Sequence, residues 1–173
     1  MRIALLSDTH VPIGLSDLPG ALLERLEGVD RILHAGDLVR LSVVDRLATI
    51  ATTTAVAGNM DPPEVRATLR DRETIVLAGR TVGLAHGHQP HAMQSRYIGC
   101  NYDDEAFDVF YETMAAQLPE AEIIVFGHFH RPVVKRWRGI LFVNPGAIAP
   151  PHPRATYAIL DLGEDIDVRI VDV

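Results

Sequence analysis

Short apolar runs alternate with amphipathic stretches along the first third of the chain, and this alternation restricts the fold more than any other feature. The apolar runs predict strands at residues 2–7, 31–35 and 52–57. Residues 16–26 and 41–50 carry apolar side chains at helical spacing, and Ser16 and Asp17 are candidate caps for the first helix. Strands that alternate with helices in this order predict an α/β fold.

The second half of the sequence is richer in strand patterns. Residues 74–77 and 81–85 flank the sequence AGR, a hairpin-type turn, so antiparallel pairing is expected to join the parallel units. Residues 104–118 form the longest helical pattern, with an aromatic and methionine stripe suited to core packing. Further strands are predicted at residues 122–126, 133–136, 140–143, 156–161 and 165–171. Since no repeat or long linker divides the sequence, we expect a single domain over residues 1–173.

Composition restricts the classes of function. With 173 residues, 47% of them hydrophobic, the chain is long enough to bury one substantial core. A formal net charge of −7 and the lack of a basic run argue against a long nucleic acid as partner. The apolar stretch near the N-terminus is too short for a signal peptide or a membrane span, which predicts a cytoplasmic protein with no membrane partner. Cys100 is the only cysteine, so its thiol is expected to be inert.

Residues able to bind metal ions follow five of the predicted strands. In chain order these groups are Ser7-Asp8-Thr9-His10, Gly36-Asp37, Gly58-Asn59-Met60-Asp61, His86-Gly87-His88 and Gly127-His128-Phe129-His130. Ligands bind at the carboxyl ends of strands in α/β sheets, so these side chains are expected to converge. In an extended chain residues i and i+2 project to the same side, which predicts Asp8 beside His10 and His128 beside His130. The glycines are expected to allow tight turns or close backbone approach.

The residue types in these groups indicate a metal centre. Carboxylate, imidazole and amide oxygen are metal ligands, and imidazole with carboxylate suits Mn, Fe, Zn and Ni better than Ca or Mg. A single aspartate behind a strand is more often a turn residue, and a single histidine is more often a hydrogen-bonded surface or core residue. Recurrence behind five strands favours the metal centre. Seven candidate ligands are too many for one ion, whereas two ions that share an aspartate would use them all.

The motifs D-x-H, GD, GN-x-D, HGH and GH-x-H, followed by NPGA at residues 144–147, resemble those of the calcineurin-like metallophosphoesterases. The resemblance covers nearly the whole chain and is strongest to the small single-domain phosphodiesterase branch of that family. It implies an α/β fold built as a four-layer α-β-β-α sandwich, in which two mixed sheets pack together between flanking helices. It also implies two divalent metal ions at one edge of the sandwich.

The resemblance further implies a role for each candidate ligand. The first ion would be bound by Asp8, His10, Asp37 and His130, and the second by Asn59, His86 and His128 together with Asp37. Asp37 would therefore bridge the ions and hold a metal-bridging hydroxide that attacks phosphorus in line. Mn²⁺ is the leading expectation, with Fe, Zn or Ni as alternatives. The formal charges of two ions, two aspartates and hydroxide leave about +1, which matches a small phosphodiester or nucleotide-like monoanion.

Met60 departs from the pattern of the larger phosphatases of this group. Those proteins commonly carry a histidine there, near the leaving group, although the small branch commonly lacks it. Because Met60 cannot donate a proton, we expect a preference for leaving groups that need little protonation, such as aryl oxides. His88 and His91 are the candidates for an acid or a substrate contact, with a structural role as the alternative.

Several nearby residues have a more local interpretation. Asp61 either orients a metal ligand or caps the helix predicted in the sequence PPEVRATLR. His34, inside a predicted strand, is expected to be a packed or hydrogen-bonded core residue, and Phe129 is expected to point away from the ligands and pack. No role is derived for His152 in the proline-rich sequence APPHPR.

Two other functions remain open at this point. A non-catalytic scaffold is one, because the retromer subunit of the same fold acts chiefly through its surfaces; here, however, all seven ligand positions keep competent residues. A phosphomonoesterase of small metabolites is the other, and a diester compared with its matching monoester would separate them. The resemblance also raises the expectation of a homo-oligomer. Residues 89–103, between a predicted ligand and the longest helix, form the candidate specificity loop or lid.

Overall fold

A computed structural model describes residues 1–97, 100–149 and 154–173 of the protein. These residues contain ten strands and five α-helices joined by loops. In chain order the strands are β1 (Arg2–Leu6), β2 (Arg31–His34), β3 (Thr52–Ala55), β4 (Arg72–Leu77), β5 (Arg80–Ala85), β6 (Ile123–Val125), β7 (Val133–Trp137), β8 (Ile140–Asn144), β9 (Thr156–Leu162) and β10 (Ile166–Asp172). The helices are α1 (Gly20–Arg25), α2 (Ser42–Ala48), α3 (Pro63–Thr68), α4 (His91–Gln94), which continues into a 3₁₀ turn at Ser95–Tyr97, and α5 (Glu105–Gln117). In these described segments, every helix is too short or too polar to cross a membrane.

The first sheet has the strand order β10-β9-β1-β2-β3. Strands β1, β2 and β3 run parallel, and β9 pairs antiparallel with both β1 and β10. Strand β1 lies inside the sheet and is covered on both faces, so residues 3–6 are fully buried. This position requires the unbroken apolar run seen in the sequence. The parallel unit predicted from the first third of the sequence is therefore confirmed.

The second sheet has the strand order β4-β5-β6-β8-β7. Strands β5, β6 and β8 run parallel, while β4 pairs antiparallel with β5 and β7 with β8. Ala78 and Gly79 connect β4 to β5 with φ values of 48° and 77°, as a two-residue hairpin turn requires. The predicted hairpin is confirmed, and both sheets are mixed.

Alternate residues of β1 serve different layers of the core. Ile3 and Leu5 belong to the cluster between the two sheets, whereas Ala4 and Leu6 belong to the cluster under the helices of the first sheet. The side chains of α1 and α2 that complete this outer cluster are Leu22, Val43 and Leu47. The period of two along a strand thus lets one short segment stabilise two layers.

Helix α5 covers the outer face of the second sheet. Its buried side chains are Phe107, Phe110, Tyr111 and Met114, and they pack with Ile124, Phe126 and Phe142. The stripe predicted from the sequence is therefore core packing. Helices lie outside both sheets, and the predicted four-layer α-β-β-α sandwich is confirmed.

The first helix is shorter than predicted and begins differently. It begins at Gly20 after Pro19, which has extended backbone angles, and no side chain caps it. Leu18 precedes a proline and is therefore disfavoured in the helical conformation. Asp17 instead accepts a hydrogen bond from the backbone N–H of Leu18 at 2.7 Å. The predicted helix start at residue 16, with Ser16 and Asp17 as caps, is wrong.

Candidate metal centre

The loops that follow β1, β2, β3, β5 and β6 meet at one edge of the sandwich. The first three belong to the first sheet and the last two to the second sheet. Direct backbone hydrogen bonds join them: Asp8 N–H donates to Gly36 O, His10 N–H to Asp37 O, and Gly127 N–H to His86 O, each at 3.0 Å. Polar residues far apart in sequence thus converge where the two sheets adjoin.

One group of ligand atoms surrounds the buried carboxylate of Asp8. His130 Nε2 lies 3.1 Å and His10 Nε2 lies 3.8 Å from Asp8 Oδ1. The two imidazole nitrogens are themselves 3.3 Å apart. Although His130 is close, no hydrogen bond of good geometry reaches Asp8 Oδ1 within the described chain. Two nitrogens and a carboxylate oxygen that face one point form a suitable set of ligands for a cation.

A second group lies on the other side of Asp37. His86 Nε2 lies 3.2 Å from Asp37 Oδ2 and 3.1 Å from Asn59 Oδ1, and the ring centroid of His128 lies 5.2 Å from that of His86. Asp37 Oδ2 is also 3.9 Å from His10 Nε2. Asp37 therefore lies between the two groups, and the structure brings all seven predicted ligands into one cluster.

The backbone of the ligand loops is not extended. The prediction that an extended chain places Asp8 beside His10 and His128 beside His130 is therefore wrong in its geometry. Asp8 has a φ of 53°, His10 of 45°, Asp37 of 57°, His128 of 68° and His130 of 56°. These values belong to the left-handed region, which non-glycine residues adopt rarely and mostly where surrounding contacts enforce it. The strands end before the ligands, and loop contacts place His130 beside Asp8 and His10, and His128 beside His86.

Two glycines allow the loops to approach one another. A Cβ at Gly127 would overlap Ser7 Oγ and lie 2.7 Å from Asp8 Oδ2, and a Cβ at Gly58 would overlap Asp37 Oδ1. Because Gly127 has no side chain, the backbone reaches Asp8, and the N–H group of the next residue, His128, donates to Asp8 Oδ2 at 3.1 Å. The predicted close backbone approach is confirmed at these glycines.

Asp61 fixes the loop after β2 against the loop after β3. Its carboxylate accepts hydrogen bonds from the backbone N–H groups of Gly58 at 2.7 Å, Val39 at 2.6 Å and Asp37 at 3.1 Å. Helix α3 begins after Pro62, without a side-chain cap. Asp61 therefore does not cap α3, and it holds the backbone of Asp37 and of the loop that carries Asn59.

Two residues that sequence reasoning missed also hold the ligand loops. Arg66 on α3 donates from Nε to Gly58 O and from Nη2 to Asn59 O, both at 3.3 Å. Asn144, the first residue of NPGA, donates to Gly127 O at 2.8 Å and accepts from Gly146 N–H at 2.9 Å. The NPGA motif was a signal for Asn144, but only the fold reveals which loop it contacts.

Burial and charge shape the protonation of the centre. Burial alone would raise the pKa of Asp8, but the imidazoles of His130 and His86 outweigh it and lower that pKa to about 2. Burial would likewise raise the pKa of Asp37, but the hydrogen bond with His86 outweighs it and the pKa is lowered. Burial would lower the pKa of His86, yet Asp37 and Asp8 raise it to about 9. Burial and the positive charge of His86 lower the pKa of His128 to about 4.

These pKa values describe a centre that attracts cations. At neutral pH two ionised aspartates face one protonated histidine, His86, and the histidines with lowered pKa are neutral ligands. His86 has its Nδ1 2.7 Å from Ala35 O, which directs Nε2 toward Asp37. Because a metal ligand must be deprotonated, binding of a cation would release the proton of His86.

The remaining histidines have different positions. His88 is exposed, and its ring lies 5.6 Å from that of His86 and 6.4 Å from that of His128. Partial desolvation and the positive charge of His86 lower its pKa. His91 begins α4 on the surface. His34 is fully buried, 3.2 Å from Thr9 Oγ1 and 3.2 Å from the backbone N–H of Gly36, which confirms a hydrogen-bonded core residue. His152 lies outside the described residues.

Aromatic side chains pack together beside the centre. Phe129 contacts Tyr97, Phe107 and Phe110 with ring centroids 5.1–5.6 Å apart, which confirms its packing role. Of the candidate specificity loop, residues 98 and 99 lie outside the described residues. Met60 is half exposed at the edge of the centre. The half-buried thiol of Cys100 donates to Arg96 O at 3.1 Å.

The profile of the calcineurin-like phosphoesterase superfamily domain matches residues 1–165. The chain belongs to this superfamily. A probable metallophosphoesterase of Methanothermobacter thermautotrophicus is 32% identical over 99% of this chain and 92% of its own length. A probable metallophosphoesterase of Bacillus subtilis is 29% identical over 99% of this chain and 91% of its own length.

A solved structure extends the comparison of this calcineurin-like phosphoesterase. Wild-type Vps29 from Entamoeba histolytica, crystallised as a complex with Zn²⁺, is 25% identical, with a TM-score of 0.72 and coverage of 99% of each chain. The superfamily implies divalent metal ions, and the donor set here fits them. The carboxylate of Asp8 with His10 and His130 forms one candidate group, and that of Asp37 with Asp8 and His86 forms another. The loops approach closely enough for both groups because glycine occupies positions 58 and 127.

Proposed function

We propose that this calcineurin-like phosphoesterase is a metal-dependent phosphodiesterase that uses two divalent ions. The observation that supports this most directly is the position of Asp37. Its Oδ2 lies 3.2 Å from His86 Nε2 on one side and 3.9 Å from His10 Nε2 on the other, so one carboxylate faces both ligand groups. A carboxylate between two ligand groups can serve two ions held close together, as two-metal hydrolysis needs.

In this proposal each side chain of the cluster has a defined role. Asp8, His10 and His130 hold the first ion and Asn59, His86 and His128 hold the second, while Asp37 serves both. The pair of ions, when bound, supplies hydroxide at neutral pH and neutralises the negative charge that develops on the phosphoryl oxygens. Asp61 keeps the backbone at Asp37 and Gly58 in place, so that the shared carboxylate and the Asn59 loop stay aligned.

A phosphodiester is the preferred substrate class on grounds of charge and proton supply. The formal charge of the loaded centre, about +1, matches a monoanion better than the dianion of a monoester. Met60 occupies the edge of the centre and cannot protonate a leaving group. His88, exposed beside His86 and His128, is the candidate for a substrate contact or an acid. We therefore propose aryl esters as the best artificial substrates.

Metal identity, partner and location complete the proposal. Imidazole, carboxylate and amide oxygen favour Mn²⁺, with Fe, Zn or Ni as alternatives. The Zn²⁺ complex of the related Vps29 supports a transition metal in this fold. The net charge of −7 favours a small phosphodiester or nucleotide-like substrate over a long nucleic acid, and a cytoplasmic location and a homo-oligomer remain part of the proposal.

The test is hydrolysis of bis(p-nitrophenyl) phosphate by metal-stripped protein titrated with Mn²⁺, beside the Asp37→Asn and Asp45→Asn variants. Asp45 is exposed on α2 and serves as a matched loss of one carboxylate away from the centre. We expect activity to rise with Mn²⁺ and saturate, to fall by at least about 100-fold in Asp37→Asn, and to persist in Asp45→Asn. Activity that is equal in Asp37→Asn and wild type would refute the proposed centre.

The same assay separates the two alternatives. A higher kcat/KM on p-nitrophenyl phosphate than on the diester would favour a phosphomonoesterase. A folded protein that hydrolyses neither ester with Mn²⁺, Fe²⁺, Zn²⁺ or Ni²⁺ would favour a non-catalytic scaffold.

A further inference from the structure

Strand β10 forms an open edge of the first sheet. It pairs with β9 on one side, and none of the described strands pairs with it on the other. Open edges are commonly protected by proline, lysine or a charged side chain that points inward. The first five residues of β10, IDVRI, have none of these, because the inner row consists of Ile166, Val168 and Ile170, which are only partly buried. The edge is therefore suited to pair with another strand.

The backbone groups that are free on this edge belong to the inner row. Val173 N–H donates to Ala155 O at 3.0 Å, so the odd-numbered residues of β10 direct their backbone groups to β9. In an antiparallel pair the even-numbered residues then direct their N–H and C=O groups to the opposite side. Arg25 donates from Nη1 to the outward-facing Asp172 O, which ends the free edge at that point. Residues 166, 168 and 170 supply the free groups.

A second copy of the chain can pair with these groups through the same three residues. Two β10 strands run antiparallel when a two-fold axis relates them. With the axis at Val168, that residue lies opposite its own copy, and Ile166 lies opposite Ile170 of the second copy. Each opposite pair directs its backbone groups to the other strand and exchanges both N–H···O bonds. The contact is therefore self-complementary, as a symmetric dimer requires.

Charged residues on the outer face of the sheet select this register. Asp167 and Arg169 have side-chain exposures of 66% and 54%. With the axis at Val168, Asp167 of each copy lies opposite Arg169 of the other, and opposite charges at such positions are favourable. An axis at residue 167 or 169 would place two copies of that charged residue opposite each other. Arg169 Nη2 also lies 3.0 Å from Asp161 Oδ2, so the guanidinium can join β9 of its own chain to the second copy.

The other described open edges lack this self-complementarity. Strand β7 carries Lys135 and Arg136 but no acidic residue, so two copies of it would repel each other. On β4, Arg72 and Glu73 direct their backbone groups to opposite sides and cannot lie opposite each other in an antiparallel pair. Strand β3 has four residues and no charged side chain.

We propose that two copies of this protein associate through β10, with the two-fold axis at Val168. The first sheets of the two copies then form one continuous sheet, and the partly buried inner row of each copy is covered by that of the other. This surface goes beyond the proposed function, because it gives the homo-oligomer a defined contact that does not depend on the metal centre. A strand edge buries less area than a standard protein interface, so the dimer dissociates on dilution.

Light scattering after size-exclusion chromatography tests the contact. Over a concentration series of the wild type, we expect the molar mass to rise from the chain mass of 19.0 kDa toward twice that value. Val168→Pro removes the N–H group at the axis, and the folded chain tolerates the change because this N–H faces away from β9. We expect the Kd of the dimer to rise at least about 100-fold. Val168→Ala, which keeps the N–H group, is the matched control and still dimerises.

Charge reversal tests the register. Asp167→Arg and Arg169→Asp each place like charges opposite each other in a homodimer, so each variant alone is expected to have a Kd at least about 100-fold above that of the wild type. Mixed in equal amounts, the two variants restore opposite charges at both cross-strand positions. We expect a heterodimer with a Kd within about 10-fold of the wild-type value. Asp45→Arg, an equal charge change on the exposed side of α2, is the control and keeps the wild-type dimer.

Three results would overturn the proposed contact. The first is a wild type that stays at 19.0 kDa at every concentration. The second is a dimer that persists in Val168→Pro and in both charge variants, which would place the interface elsewhere. The third is a failure of the two charge variants to associate when mixed, although each is folded by circular dichroism. None of these results affects the metal-dependent hydrolysis of the diester, so the proposed function is tested separately.

Discussion

At the scale of single residues, the candidate centre depends as much on the groups that hold the ligands as on the ligands. Asp61 contacts backbone N–H groups from two loops, Arg66 contacts two carbonyl groups of the Asn59 loop, and Asn144 contacts Gly127 O. These polar contacts replace the regular hydrogen bonds that the chain gives up when its strands end. A ligand set assembled from five loops therefore requires supporting residues with charged or amide side chains.

Asp61→Asn tests this support. The amide offers one acceptor oxygen where the carboxylate offers two, and its NH₂ group would face a backbone N–H group. We expect the free energy of unfolding of the metal-free protein to fall by about 2 kcal/mol and Mn²⁺ affinity to fall about 10–100-fold. Urea denaturation and calorimetric titration measure these effects. Glu64→Gln, on the exposed first turn of α3, is the control, and Mn²⁺ affinity in Asp61→Asn equal to that of the control would contradict the prediction.

At the scale of elements, the loops after β1 and β6 form the contact that joins the two sheets at the centre. His128 N–H donates to Asp8 Oδ2 at 3.1 Å, and the backbone at Gly127 lies against Ser7. The left-handed angles of Asp8, His10, His128 and His130 are maintained by this packing. A change that separates the loops should therefore disturb the ligands from both sheets together.

Gly127→Ala makes such a change. The added methyl group would overlap Ser7 Oγ and approach Asp8 Oδ2, so one loop has to move. We expect a loss of stability of about 2 kcal/mol or more and loss of Mn²⁺-dependent activity. Gly20→Ala is the matched control, since nothing lies within 4 Å of a Cβ at the first residue of α1. A Gly127→Ala protein with wild-type stability and activity would show that the loops are not in close contact.

At the scale of the whole molecule, the candidate centre links the two sheets of the sandwich. Asp8, His10, Asp37 and Asn59 follow strands of the first sheet, whereas His86, His128 and His130 follow strands of the second. A bound ion would therefore connect both halves of the fold. Since the unfolded chain cannot present these ligands together, binding of metal should favour the folded state.

Thermal unfolding of the metal-stripped protein with and without Mn²⁺ tests this linkage. At a free ion concentration about 100 times the Kd, one site adds about 2.7 kcal/mol, which for a chain of this size raises Tm by roughly 5–10 °C. Asp37→Asn is expected to lose most of the increase. An unchanged Tm in the wild type at saturating Mn²⁺, Fe²⁺, Zn²⁺ and Ni²⁺ would contradict a metal centre that spans the sheets.

The sequence by itself determined the α/β class, the order of the strands along the chain, the aromatic face of α5 and the residue types at the strand ends. These features are local, because the hydrophobic period and the chemistry of a side chain can be read without knowledge of distant partners. The helix start at residue 16 was wrong for a local reason that was overlooked, namely the effect of Pro19 on the residue before it.

Only the tertiary structure decided how the ligands meet. Contacts between segments distant in sequence hold the left-handed backbone of Asp8 and His130. Such contacts also bring three backbone N–H groups to Asp61 and two carbonyl groups of the Asn59 loop to Arg66. Such contacts arise from the face-to-face packing of two sheets and the meeting of their loops at one edge of the sandwich, and no period or motif along a single chain encodes their distances.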